Sequence, residues 1–250
     1  MGKTTAGKTT AGMAFAAALL GSVTAIAEPA CTEDAMVVFD GSASMAKTEE
    51  GLNGEPRIVS ARQAMHRVMP DIALSRRLGL VIYGPGSQSE SCENIDLRFP
   101  PIARAAPQIL GAVDMLEPDG NTPLTAAVRR AAEALEFTER PGVVVLVTDG
   151  RETCGGAPCA LGSELAATDA DLTVHVIGFR LQRDYNGHPS FRPKNAVYKA
   201  DCLASKTGGK VVTTETAEEL VAALRETLAC PVFSLFAPSD ETLALATANR

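Results

Sequence analysis

The sequence predicts an α/β protein with a doubly wound, mostly parallel six-stranded sheet, flanked by helices and carrying one antiparallel edge strand. Three observations predict it. Short branched apolar runs alternate with segments whose apolar residues recur at helical spacing. The run Val143 to Val147 is apolar throughout, as expected of a central strand buried on both faces. Two of the apolar runs end in an acid followed by glycine, Asp40-Gly41 and Asp149-Gly150, and ligands of such sheets bind at the carboxyl ends of strands.

The elements follow in order. Ala35 to Phe39 is the first strand. Pro56 to Ile72 is a helix with Ile58, Ala61, Met65, Val68 and Ile72 on one face. Leu78 to Tyr83 is a buried strand that runs into the Gly84-Pro85-Gly86 turn. Ile95 to Phe99 alternates and forms the antiparallel edge. Pro107 to Leu116 is a helix that turns Ile109, Ala112, Val113 and Leu116 inward. Pro123 to Leu135 is another, with Leu124, Val128, Ala131 and Leu135 inward. Val143 to Val147, Leu172 to Phe179 and the short Lys210 to Thr213 complete the strands. Thr216-Ala-Glu-Glu219 reads as a capping box opening a helix through Leu228. One domain thus spans 31–230, and 231–250 is a C-terminal tail.

With 46% hydrophobic and 21% charged residues, the 250-residue chain has the balance of an ordinary globular protein. It has no Trp, so its core is built from Val, Leu, Ile, Ala and Met. The formal net charge of −7 argues against general nucleic-acid binding. Residues 1–27 have the pattern of a signal peptide: Lys3 and Lys8, the apolar stretch Met13 to Leu20, and small residues at Ala25-Ile26-Ala27. Its removal would discard two lysines and no acid, taking the charge to −9. The Gly-Lys-Thr triplets of this leader lack the preceding strand and the spacing of a phosphate-binding loop. No other segment could span a bilayer, so the expected location is periplasmic or secreted.

The candidate site lies at the two strand ends. Asp40-Gly41-Ser42-Ala43-Ser44 places a carboxylate and two hydroxyls in one tight turn. All are hard oxygen donors, which suit Mg²⁺, Mn²⁺ or Ca²⁺ rather than zinc or copper. Thr122, in Gly120-Asn121-Thr122-Pro123-Leu124, offers a third hydroxyl just before a helix. Asp149 follows the most apolar strand.

Asp40-x-Ser42-x-Ser44, then Thr122, then Asp149-Gly150, resembles the metal-ion-dependent adhesion site of von Willebrand factor type A domains, over about Ala35 to Ala229. The stretch Asp149 to Cys159 is also similar to a subset of bacterial secreted domains of this type, with Arg151 standing where an aliphatic residue is expected. The resemblance implies Mg²⁺, with Mn²⁺ or Ca²⁺ possible, held by Asp40, Ser42, Ser44 and Thr122, and by Asp149 directly or through water. Mg²⁺ seeks six oxygens in octahedral geometry and retains waters. A site poor in negative charge leaves the ion electrophilic, so the expected ligand is a protein that presents Asp or Glu. Alternatives are a metal-stabilised scaffold of an envelope complex and a metal-dependent hydrolase. The enzyme reading lacks a base, since nothing in the sequence places His66, His175 or His188 beside a serine, and a non-enzymatic role is expected.

Six cysteines suit an oxidising compartment. Cys31 before the first strand and Cys230 after the last helix fall at the same end of such a sheet, away from the site, and are expected to pair. Gly155-Gly156-Ala157-Pro158 would permit Cys154 to bridge to Cys159, leaving Cys92 and Cys202 to pair by elimination. Two loops are candidate recognition surfaces, Ala46 to Glu55 and Arg183 to Lys199; the second offers Arg183, Tyr185 and Arg192 to an acidic partner.

Overall fold

The computed structural model describes residues 1–2, 31–48, 54–85, 92–180 and 200–230. Residues 3–27 of the expected leader, the tail 231–250 and the proposed partner contacts Arg183, Tyr185 and Arg192 lie outside the described residues. Among those described are six strands: β1 (Asp34–Asp40), β2 (Leu78–Tyr83), β3 (Ile95–Ile102), β4 (Gly142–Thr148), β5 (Leu172–Phe179) and β6 (Val211–Thr214). The helices are α1 (Arg57–Ser75), α2 (Ala106–Asp114), α3 (Leu124–Ala134), α4 (Pro158–Leu165), α5 (Asp201–Lys206) and α6 (Ala217–Leu228), with a 3₁₀ turn at Ala43–Ala46.

The strands form one sheet in the order β3-β2-β1-β4-β5-β6, parallel except for β3. β2 lies on one side of β1 and β4 on the other, so chain direction across the sheet reverses between β1 and β4. A crevice opens at the carboxyl ends of such a pair. Register aligns Phe39 with Val147, which sets Asp40 beside Thr148, with Asp149 one residue beyond.

Alternation along β1 explains why its apolar run is unbroken. Ala35, Val37 and Phe39 enter a core shared with α1, α2 and α6. Met36 and Val38 enter the opposite core, with α3, α4 and α5. β4 is buried along its whole length for the same reason. β3, at the edge, alternates half-buried and exposed residues up to Pro100, and its Pro100-Pro101 pair is tolerated because an edge strand has a neighbour on one side only. Edge position is also why the strand runs on to Ile102, beyond the expected Phe99. α1 likewise continues past the expected Ile72 to Ser75; its Pro70 sits on the exposed face, where water can satisfy the carbonyl that loses its partner.

The disulfides correct part of the sequence reading. Cys31 bonds to Cys230. The expected Cys154–Cys159 bridge does not form, nor does Cys92–Cys202; the pairs are Cys92–Cys154 and Cys159–Cys202. Pro158 opens α4 at its first position, so Cys159 belongs to a helical turn while Cys154 stays in the loop before it. α4 packs tightly on α5 at Gly162, where a Cβ would stand 2.7 Å from the Cys202 carbonyl oxygen. That close approach brings Cys159 to Cys202 and leaves Cys154 to meet Cys92 after β2. No helix among the described residues is long and apolar enough to cross a membrane.

Candidate metal centre

The end of β1 delivers Asp40 into the crevice, and the chain turns at once. The Asp40 carboxylate accepts the Ser42 N–H at 2.8 Å through Oδ1, which closes the turn. Its Oδ2 accepts the Thr148 hydroxyl at 2.7 Å and the Asp149 N–H at 3.3 Å, which stitches the ends of β1 and β4 together. The buried Tyr83 hydroxyl donates in turn to Thr148 Oγ1 at 3.1 Å. Gly84, at φ +110°, lets the end of β2 pass close beneath: a Cβ there would lie 2.4 Å from the Ser42 nitrogen.

The 3₁₀ turn, pinned by the buried Met45, aims Ser44 back over the crevice. Ser42 Oγ and Ser44 Oγ are 3.0 Å apart, and Ser44 donates to Asp149 Oδ1 at 2.5 Å. Thr122 reaches the same place from the start of α3. Gly150 lies between the two hydroxyls, its would-be Cβ 3.6 Å from Ser44 Oγ and 3.7 Å from Thr122 Oγ1. All five residues singled out in the sequence therefore meet at one point. Asp40 is 0% exposed, Asp149 1%, Ser42 1% and Thr122 5%.

Three further residues complete the site and escaped the sequence reading. Thr148 and Tyr83 orient Asp40. Arg57, 1% exposed at the first position of α1, donates from Nη1 to Asp149 Oδ2 at 2.9 Å. A cation in the first turn of a helix opposes the helix dipole, so this arginine contradicts local preference. That conflict was the available signal, and its resolution is the ion pair with Asp149.

Burial, and then the neighbouring Asp40 carboxylate, raise Asp149 to about 7; the Ser44 hydroxyl and Arg57 pull the other way. Two carboxylates out of water with one guanidinium between them remain short of positive charge. The donor set fits a hard divalent cation: two carboxylates and three hydroxyls, without sulfur or imidazole. The Ser42–Ser44 separation equals the edge of an octahedron with Mg–O bonds of the usual length, about 3 Å. Among the described residues no cluster of three or more His, Cys, Asp or Glu side chains occurs, so a nitrogen- or sulfur-based metal site has no candidate there.

Comparison with known proteins agrees with this architecture. Residues 35–152 match the family described as von Willebrand factor type A domain. The uncharacterized protein YwmD of Bacillus subtilis (strain 168) is 26% identical over 201 residues, covering 77% of this chain and 84% of its own. An aerotolerance-related membrane protein from Bacteroides fragilis NCTC 9343 superposes with a TM-score of 0.57 at 15% identity, over 78% of this chain and 98% of that one. The pilus adhesin SpaC from Lactobacillus rhamnosus GG does so with a TM-score of 0.56 at 13% identity, over 78% of this chain and 29% of the adhesin. At those identities the two structures speak to the fold alone. The family match covers residues 35–152, and the two structures share the fold.

Proposed function

We propose that this protein is an exported, divalent-metal-dependent protein-binding domain. Asp40, Ser42, Ser44, Thr122 and Asp149 would hold Mg²⁺, with Mn²⁺ or Ca²⁺ as substitutes. The bound ion would supply a Lewis-acidic position open to a carboxylate of a partner protein. The observation that carries the reading is the convergence of these five side chains at the β1–β4 crevice. Asp40 and its Thr148 and Tyr83 supports fix one carboxylate. Arg57 occupies one oxygen of Asp149, which limits the negative charge offered to the ion and favours an electrophilic site.

Binding is favoured over catalysis by where the described histidines stand. His66 pairs with Asp114 on an exposed helix face, and His175 accepts the Lys210 N–H on the β5–β6 side, so neither addresses Ser42 or Ser44. An acidic chain does not suit nucleic acid. Three disulfides are consistent with a compartment outside the cytoplasm, and the leader-like residues 1–27 support export to a periplasm or beyond. The two structural likenesses, one to a protein called a pilus adhesin, accord with an interaction role.

A scaffold that keeps the fold without a metal is the second reading, distinct from the metal-stabilised scaffold, and the Arg57–Asp149 pair favours it, because an internal cation lets the site fold without a metal. Calorimetric titration of the oxidised chain with Mg²⁺, Mn²⁺ and Ca²⁺ beside Asp40→Ala separates the two. Binding lost in the variant supports the metal site, and capture of a partner protein that also fails in Asp40→Ala, with folding intact, supports adhesion over a metal-stabilised scaffold. Absence of binding in the wild type supports the scaffold.

A further inference from the structure

Thr122 is the ligand candidate with the weakest tether to the sheet. Asp40 and Asp149 extend directly from strands, and Ser42 and Ser44 share one turn. Thr122 sits in the connection before α3, where the N-cap position is Pro123 and makes no side-chain capping bond. Its backbone is nonetheless held on both sides by one residue of the loop after β4. The Thr122 N–H donates to Thr153 Oγ1 at 2.8 Å, and the Thr153 N–H donates to the Thr122 carbonyl at 3.1 Å. Next to it, Glu152 caps α3 from outside the helix. Its Oε2 accepts both the N–H of Thr125, at 2.9 Å, and the Thr125 hydroxyl, at 2.6 Å. A carboxylate at a helix N-terminus satisfies an orphan donor and complements the dipole. Its Oε1 accepts the Cys154 N–H at 2.8 Å, which folds the loop back on itself, and Cys154 is bonded to Cys92 of the loop after β2.

We propose that Glu152 and Thr153 are positioning residues for the metal site, a clamp anchored through Cys154 that sets the Thr122 hydroxyl against Ser44 and Gly150. The inference rests on the metal reading above. Thr153 is exposed and Glu152 half-buried, so neither fills the core, and a purely structural role would leave metal affinity unchanged. The geometry also accounts for a residue pattern: the two residues after Asp149-Gly150-Arg151 are an acceptor with two oxygens and a hydroxyl, and each oxygen is used.

The test uses the oxidised full chain and Mn²⁺, with free ion followed by electron paramagnetic resonance, in wild type, Thr153→Val, Thr153→Ser, Glu152→Gln and Asp40→Ala. Amide hydrogen exchange at Thr122 and Thr125 is read in the metal-free proteins. The expected result is an affinity loss of about tenfold or more in Thr153→Val, equivalent to about 1.4 kcal/mol. Thr122 should exchange faster in that variant, Thr153→Ser should restore both readouts, and Glu152→Gln should speed exchange at Thr125. Wild-type affinity together with wild-type protection of Thr122 in Thr153→Val overturns the clamp and leaves the metal reading standing, because Asp40→Ala still separates from wild type. A wild type that ignores Mn²⁺ as Asp40→Ala does overturns both.

Discussion

Arg57 is the residue whose role depends most on what else is in the crevice. Removing one partner of a buried ion pair strands the other, so Arg57→Met should lower stability in chelator by about 3 kcal/mol. Denaturant unfolding repeated in saturating Mn²⁺ should recover part of that loss, since the metal would take over as counter-ion to Asp149. Equal losses with and without metal would count against a shared charge balance. The ligand candidates were legible because a short motif packs three of them into five residues and strand ends mark the other acid. Arg57 and Tyr83 were not, because each meets the site from a distant part of the chain, and Thr148 was not, because its place next to Asp149 does not reveal that its hydroxyl turns to Asp40. His175 carries a pH dependence elsewhere. Burial, then Lys210 and Arg76, hold its ring below its ordinary value, and neutral Nδ1 accepts the Lys210 N–H at 3.0 Å. As pH falls through about 6.5 the unfolded chain takes up the proton first, so it binds more protons and stability declines until the folded ring also titrates. The wild type should therefore lose stability relative to His175→Asn between about pH 7 and the lower folded value, measured by unfolding across that range. A constant difference would show that the ring does not titrate differently on folding.

Among the elements, those with a strong period or an unbroken apolar run declared themselves. β2 and β5 have the limits read from their residues, and α6 begins where its capping box places it: Thr216 Oγ1 accepts the Glu219 N–H, and Glu219 Oε2 accepts the N–H of Glu215, one residue earlier than in the usual box. Thr216→Ala should cost about 1 kcal/mol in thermal or denaturant unfolding. A loss near zero would mean that the glutamate alone suffices at this helix start. α4 and α5 were missed for physical reasons. Each spans eight residues or fewer, too short for a clear stripe, and α4 contains Gly162, which lowers helix preference but permits the close packing on α5. Missing them also misled the cysteine pairing, since sequence nearness suggested Cys154–Cys159 whereas the start of α4 separates those two side chains. The corrected pairs matter for the site. Cys92–Cys154 ties the loop after β2 to the loop carrying Glu152 and Thr153, so Cys92→Ser with Cys154→Ser should weaken Mn²⁺ binding more than Cys159→Ser with Cys202→Ser does. Equal effects in the same titration would deny the first bridge a special connection to the metal centre.

For the molecule as a whole, the two poles of the sheet have different tasks. The crevice with its carboxylates and hydroxyls occupies the carboxyl ends of the strands. At the other pole Cys31 bonds to Cys230, and both approach Ser75 at the end of α1: the Cys31 N–H donates to its carbonyl at 2.9 Å. Closing a loop of 199 residues stabilises by about 5 kcal/mol in the entropic account. Cys31→Ser with Cys230→Ser should lose that much in denaturant unfolding while leaving metal affinity unchanged, because the bond lies across the sheet from the crevice. A fall in affinity would mean that the poles communicate. The bond has a mechanical meaning as well. Tension applied between segments before Cys31 and after Cys230 would run through two sulfur atoms and bypass the sheet. A pulled oxidised chain would not pay out the roughly 650 Å of slack stored between these cysteines. The crevice would hang unstressed beside the line of force, keeping its shape under a load that would unravel the reduced protein.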